Sequence, residues 1–92
     1  MKFAWDPKKA ASNRKKHGVS FEEAMKVFDD PDRKVDLDLV HSGPVEIRKI
    51  VIGTSDFGNK LTVIYTERKD KTRIISARKA TKRNRTEYER AN

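Results

Sequence analysis

Residues 61–85 read LTVIYTERKDKTRIISARKATKRNR. Two runs rich in β-branched residues flank a short charged turn, Lys69-Asp70-Lys71, the signature of a β-hairpin. Basic side chains stand at Arg68, Lys69, Lys71, Arg73, Arg78, Lys79, Lys82, Arg83 and Arg85. A hairpin does not need so many cations in order to fold, whereas binding a polyanion does. Glu67 is the one carboxylate inside the two strands, and it raises the question of chemistry as well as binding.

Which side chains share a face depends on the turn. A three-residue turn sets Glu67 opposite Arg73, Tyr65 opposite Ile75 and Val63 opposite Ala77, leaving Thr62, Ile64, Thr66 and Arg68 beside Ile74, Ser76 and Arg78 on a face suited to an anion. A two-residue turn flips one strand and brings Glu67 and Arg78 onto a common face. Both registers are open at this stage.

Upstream, Met1–Trp5 alternates weakly and is expected as a short strand at or near a sheet edge. Asp6-Pro7 starts a helix that runs to about His17, where Gly18 supplies a left-handed stop. This helix is poor in apolar residues, and Lys9, Asn13 and Lys16 fall on one face as a polar stripe. A second helix opens with Ser20 and Glu23 as a capping box, buries Phe21, Ala24, Met25 and Phe28, and closes before Pro31. Phe21→Ala or Phe28→Ala should each cost about 3 kcal/mol through the cavity left behind.

From Arg33 onward the period changes to two. Val35, Leu37 and Leu39 alternate with Asp36 and Asp38 as a half-buried strand. Residues 41–44 form a turn, 47–54 a central strand covered on both faces, and 55–59 another turn before the hairpin. Thr81 caps a short C-terminal helix with Tyr88 as its one large anchor. The order predicts an α+β domain spanning residues 1–92, with its helices, two N-terminal and one short C-terminal, on one side of an antiparallel sheet of four to five strands.

Composition agrees with one small domain. A chain of 92 residues buries only about 60% of its unfolded surface, so few side chains are spare. It has no cysteine, which excludes disulfides and thiolate metal sites. No apolar run reaches the roughly 18 residues of a membrane span, and MKFAWDPKK is no signal peptide, so a cytoplasmic location is expected. The net charge of +8 is divided: residues 1–19 carry +5, 20–46 carry −5, and 47–92 carry +8. Such alternation suits nucleic acid on one surface and a basic protein on another, although a solvated charged surface gives the same pattern.

The stretch FAWDPKKAASNRKKHGVSFEEAMKVFDD, the IGTS segment, and VIYTERKDKTRIISARKAT together resemble the BrnT family of toxins from bacterial type II toxin–antitoxin systems. K-H-G-V-S-F-E-E-A and R-I-I-S-A-R-x-A carry most of the likeness, which covers nearly the whole chain. The resemblance implies a RelE-like fold and a metal-independent endoribonuclease that arrests growth and needs no cofactor. It also implies neutralisation by a BrnA-type antitoxin with a ribbon-helix-helix part, a two-toxin, two-antitoxin assembly, and operator contact only through that complex. One departure is visible, since many relatives carry an acidic residue where this chain has Asn84 after Lys82-Arg83.

Metal-free RNA cleavage needs a base for the 2′-hydroxyl proton, an acid for the 5′-oxygen, and cations around the phosphate. The residue types available for proton transfer are Glu67, His17, His41, Tyr65 and Tyr88, with a lysine base also open. Arg73 and Arg78 offer guanidinium forks for phosphate, and Lys9, Asn13, Lys16, Arg68, Lys79, Lys82, Arg83 and Arg85 would hold the strand. Plainer roles exist for several: His17 as a helix-end cap, Glu67 as a partner for Arg73, Trp5 as packing. Asp29, Asp30, Asp32, Asp36 and Asp38 lack metal-ligand spacing with a turn glycine and suggest an acidic surface, with Asp36 and Asp38 facing the antitoxin. The rival function is a basic nucleic-acid-binding module, without catalysis, that works with a DNA-binding partner.

Overall fold

The computed structural model describes residues 1–40, 42–44 and 46–91. His41, considered above for proton transfer, lies outside the described residues.

The N-terminal helices form where their caps place them. Asp6 accepts from the Lys8 N–H at 2.8 Å and begins α1 (Pro7–His17), which Gly18 ends at φ 71°. Ser20 accepts from the Glu23 N–H at 3.0 Å and begins α2 (Phe21–Lys26). The capping box closes from one side only. The Glu23 carboxylate instead accepts from Ser55 Oγ at 2.6 Å and Asn59 Nδ2 at 2.9 Å, tying the helix to the turn at 55–59. A 3-10 turn, Val27–Asp29, follows directly and stops before Pro31.

The strands are β1 (Lys2–Ala4), β2 (Lys34–Leu37), β3 (Arg48–Thr54), β4 (Lys60–Arg68) and β5 (Lys71–Lys79), and α3 (Lys82–Ala91) ends the described chain. They form one sheet in the order β1-β5-β4-β3-β2. The sheet is mixed, not antiparallel as expected. β2 to β5 run antiparallel in succession, but β1 lies parallel to β5. The reason is connectivity: α1 and α2 carry the chain from β1 at one edge to β2 at the other, so no hairpin fixes the direction of β1.

One face of the sheet carries α1, α2 and the 3-10 turn over a core that includes Phe21, Val27, Val51, Leu61, Val63 and Ile74. Trp5 packs edge-on to Phe21 with centroids 5.9 Å apart, and Phe28 stands edge-on between Phe3 and Tyr65. Gly53 lets β3 approach the 3-10 turn closely, since a Cβ there would lie 2.8 Å from Val27 Cγ1.

The expectation that all helices lie on one side is corrected by α3. It packs against residues of the opposite face, with Asn84 on Thr62 and Arg78, and Tyr88 on Asp30 and Lys60. No residue of α3 is buried, so polar contacts hold it. The expected half-buried strand at 35–39 is shorter and more open: β2 ends at Leu37, with Val35 48% and Leu37 52% exposed.

Both hairpin registers occur, each on its own side of an irregularity. The turn has two residues, with Lys69 at φ 51°, so that Arg68 pairs with Lys71, Glu67 with Thr72 and Tyr65 with Ile74. The register then shifts, and Ile64 pairs with Ser76, Val63 with Ala77 and Thr62 with Arg78. Ile75 is the additional residue of a β-bulge. Glu67 therefore faces Thr72 instead of Arg73, and Tyr65 faces Ile74 instead of Ile75, while the Val63–Ala77 pair stands. The bulge also undoes the consequence drawn from a two-residue turn, because it returns Arg78 to the face away from Glu67.

Candidate active site

Cross-strand partners share a face, so the ladder itself lays out the surface away from α1 and α2. One row across the sheet is Lys34–Ile52–Thr62–Arg78, the next Asp36–Ile50–Ile64–Ser76, and the third Arg48–Thr66–Arg73. Because α3 contacts Thr62 and Arg78 of the first row, Ile52 is only 3% exposed, while Ile50 and Ile64 beyond it stay half-open. The result is a hollow of about 350 Å³ lined by Asp38, Arg48, Ile50, Ile64, Ile75, Ser76 and Arg78. Its floor is aliphatic, and its rim carries Arg48 and Arg78 together with the carboxylate of Asp38.

Arg78 is held in place from α3. Thr81 and Asn84 cap that helix reciprocally: the Asn84 N–H donates to Thr81 Oγ1 at 3.1 Å, and the Thr81 N–H donates to Asn84 Oδ1 at 3.3 Å. The same Oδ1 accepts from Thr62 Oγ1 and from Arg78 Nη1, each at 3.1 Å. A single amide oxygen thus meets three donors, leaving Arg78 four further N–H groups for a ligand. Arg48 is braced differently. Its Nε donates to Glu46 Oε1 at 3.2 Å, and Arg68 Nη2 donates to Glu46 Oε2 at 2.7 Å. Hydrogen bonds from Arg68 first, and then Arg48, hold the Glu46 carboxyl below the usual carboxylate range.

A second hollow of about 200 Å³ lies along β5 on the side of α1, lined by Lys9, Ser12, Asn13, Lys16, His17, Ile75 and Ser76. The bulge residues Ile75 and Ser76 line both hollows. Beyond Arg73 the edge of β5 has no paired strand among the described residues, and α1 covers it. Asn13 makes that contact: its Nδ2 donates to the carbonyls of Ala77 and Val19 at 2.8 and 3.0 Å, and its Oδ1 accepts the Ala77 N–H at 3.1 Å.

The candidates from sequence therefore separate. Arg73 and Arg78 share the open face, joined by Arg48. Lys9, Lys16 and His17 gather across the β5 edge. Asn13, 7% exposed, has its amide engaged in the fold. Glu67 lies on the other face and pairs with Lys49 Nζ at 3.1 Å. Arg68 is bound to Glu46, Arg85 donates to the Ala80 carbonyl at 3.0 Å, and Arg83 pairs with Glu87 at 3.4 Å. Lys82 is exposed on α3 and Lys79 at the end of β5. Asp36 is open to solvent, whereas Asp38 is buried at the margin of the arginine hollow. Tyr65 is buried against Phe28, which pushes its hydroxyl pKa up, with Glu67 adding to the rise. The Tyr88 hydroxyl donates to Asp30, which also raises its pKa. Among the described residues no three His, Cys, Asp or Glu side chains gather as metal ligands.

Sequence reasoning missed Arg48 and Asp38 as lining of the hollow, whereas Ser76 already stood beside Arg78 on the face suited to an anion. A signal existed for Arg48, two residues before Ile50 and therefore on the same strand face. Treating 47–54 as covered on both faces hid it, because α3 covers Ile52 but not Ile50.

The family model described as "Ribonuclease toxin, BrnT, of type II toxin-antitoxin system" matches residues 5–84. The chain belongs to this family. Among solved structures it is similar to the crystal structure of the Brucella abortus ribonuclease toxin, BrnT, with a TM-score of 0.67 and 25% identity. That likeness covers 89% of this chain and 99% of the Brucella chain. Comparison with curated protein sequences gave no match. Membership of the BrnT family makes the protein a toxin with a protein antitoxin as its partner. The match takes in α1, the bulged hairpin and Asn84, so both hollows fall within it.

Proposed function

We propose that this toxin is a metal-independent endoribonuclease that cleaves RNA by attack of the ribose 2′-hydroxyl on the neighbouring phosphate. The observation that carries this reading is the hollow whose aliphatic floor lies between Arg48 and a braced Arg78, separated only by the bulge of β5 from Lys9, Lys16 and His17. The floor accepts a base or sugar, and the two guanidinium groups neutralise the phosphate as it gains charge in the transition state. Arg73 extends the cationic face. A chain crossing the β5 edge beside Ser76 meets both hollows, and His17 is the group placed there to take and give a proton. Lys9 and Lys16 hold the flanking phosphates. Glu67, on the reverse face, has no part in this arrangement.

The reading extends to the cell. The toxin acts in the cytoplasm, as one domain with a fold related to RelE-type ribonucleases, arresting growth by degrading RNA needed for translation. A BrnA-type antitoxin with a ribbon-helix-helix part neutralises it in an assembly of two toxins and two antitoxins, which alone contacts operator DNA.

The test is incubation of the purified protein with end-labelled RNA in the presence of EDTA. Products ending in a 2′,3′-cyclic phosphate are expected, and Arg78→Ala should abolish cleavage while its circular dichroism matches the parent. Complete loss of activity in EDTA, or full activity in Arg78→Ala, would overturn the mechanism. Intact RNA that is nonetheless bound tightly and with salt sensitivity would show instead a binding module without catalysis.

A further inference from the structure

The sheet ends in two outer strands, the three-residue β1 and β2, and β2 is the one flanked by exposed aliphatic side chains. β2 pairs with β3 on its inner side, and among the described residues no strand pairs with its outer side. The Asp38 N–H donates to the Arg48 carbonyl at 2.8 Å, which sets the phase of this antiparallel ladder. Lys34, Asp36 and Asp38 direct their backbone groups to β3, so Val35 and Leu37 turn theirs outward. In keeping with this phase, the Leu37 N–H meets its neighbour's carboxylate, Asp36 Oδ1, at 3.3 Å.

The side chains along this edge are as unusual as its backbone. Val35, Leu37, Leu39, Val40 and Ile47 are 48 to 86% exposed. Only Met1 and Phe57 elsewhere in the described chain are large hydrophobics left so open. Natural proteins blunt free edges, and contiguous exposed aliphatics mark surfaces that another molecule covers.

Charge selects the occupant. Residues 29–47 carry six carboxylates against Arg33 and Lys34. Glu46 is held by Arg48 and Arg68 and Asp38 lies at the arginine hollow, which leaves Asp29, Asp32 and Asp36 exposed. A second copy pairing edge to edge would set two such segments, each with an exposed Asp36, against each other. A basic strand meets the opposite charge.

We infer that the outer edge of β2 takes an extended segment of the antitoxin as a sixth strand, apolar on the side of Val35 and Leu37 and bearing lysine or arginine near Asp36. Main-chain bonds to Val35 and Leu37 supply affinity, and the alternating side chains supply specificity. The inference rests on the toxin–antitoxin part of the function proposed above and not on chemistry at Arg78. An added strand lies four strand spacings, roughly 19 Å, from Arg78 on β5 and two, roughly 10 Å, from Arg48 on β3, and neither Val35 nor Leu37 lines the arginine hollow.

The experiment is amide hydrogen exchange on the toxin alone and in complex with its cognate antitoxin, co-expressed and purified together. The Val35 and Leu37 amides are expected to become protected in the complex. Val35→Pro removes an outward N–H that the sheet itself does not use, and proline is tolerated on edge strands. It should leave thermal unfolding and RNA cleavage by the free toxin unchanged while raising the Kd for the antitoxin at least tenfold. Asp36→Lys, which keeps the backbone donor, should weaken binding in a salt-dependent manner. Equal exchange of both amides in the two states would overturn the inference, as would an unchanged Kd in Val35→Pro. Protection that already appears in a dimer of the toxin alone would assign the edge to a second copy instead. Loss of cleavage by the parent protein would strike the ribonuclease reading, while the exchange, unfolding and Kd arms still decide the docking of the antitoxin.

Discussion

At the scale of single residues, the structure separates side chains that look alike in the sequence. His17 and Glu67 are both candidate proton carriers, yet one lies beside the shared bulge and the other on the reverse face with Lys49. His17→Ala should reduce RNA cleavage about 10²- to 10⁴-fold, the usual range for removing a general acid or base. Glu67→Ala should stay within about threefold of the parent, since it only frees the partly exposed Lys49. Rates measured on one labelled RNA decide the matter, and the reverse ranking would move the reaction to the other face. Asn13 shows a polar side chain whose work is structural. Asn13→Ala leaves the Ala77 N–H and two carbonyls without their partner, each buried group costing about 1–3 kcal/mol. A total loss of about 3 kcal/mol in urea unfolding is expected, and a loss below about 1 kcal/mol would mean that water replaces the amide.

At the scale of elements, α3 is the part whose attachment can be titrated. Burial tends to raise the Asp30 pKa, but hydrogen bonds from the Tyr88 hydroxyl and from the Thr54 and Asp32 N–H groups outweigh it and hold the carboxyl below 3.8. A carboxyl depressed on folding stabilises the protein above its unfolded pKa and loses that contribution as pH falls through the folded value. The Tyr88 hydroxyl is raised above 10.0 chiefly by donating to Asp30, so its share persists below that pH and disappears as pH rises through its folded value. Tyr88→Phe should therefore be less stable than the parent by on the order of 1 kcal/mol between these limits. Melting curves at a series of pH values should show the gap closing below 3.8 and again above 10.0. A gap that persists unchanged to pH 2 would show that Tyr88 acts by packing alone. The elements also show what the chain discloses by itself. Asp6-Pro7, Gly18 and Ser20 announce their helix ends locally, and the stripe of Phe21, Ala24 and Phe28 announces a core face, so these were legible. The bulge at Ile75 was not, because IISA supports either register and the choice is made by packing of Ile74 and Ala77 into the core. The side on which α3 lies was equally hidden, since its half-buried residues, Asn84, Glu87 and Tyr88, share a helix face but form no apolar stripe.

At the scale of the whole molecule, the uneven charge was readable from composition, but its division among surfaces was not. Arg68, Arg83 and Arg85 count as cations in the sequence, yet each has an oxygen partner within the chain. Asp38 reads as part of the acidic surface and lies instead in the arginine hollow. On the proposed ribonuclease reading, RNA runs from Lys9 and Lys16 on α1, over the bulge, to Arg78, Arg48 and Arg73 on the open face. This path makes a quantitative prediction. Each phosphate neutralised on a single strand contributes about −0.7 to the slope of log K against log salt. Lys9→Ala together with Lys16→Ala should make the slope for a cleavage-resistant 2′-deoxy substrate about 1.4 units less steep. Lys82→Ala together with Arg83→Ala, which removes the same formal charge from α3, should change it by less than about 0.5, since neither residue lines either hollow. Filter binding across a salt series distinguishes the two pairs. If both pairs lower the slope equally, RNA is held by net charge alone, and the route across β5 is wrong.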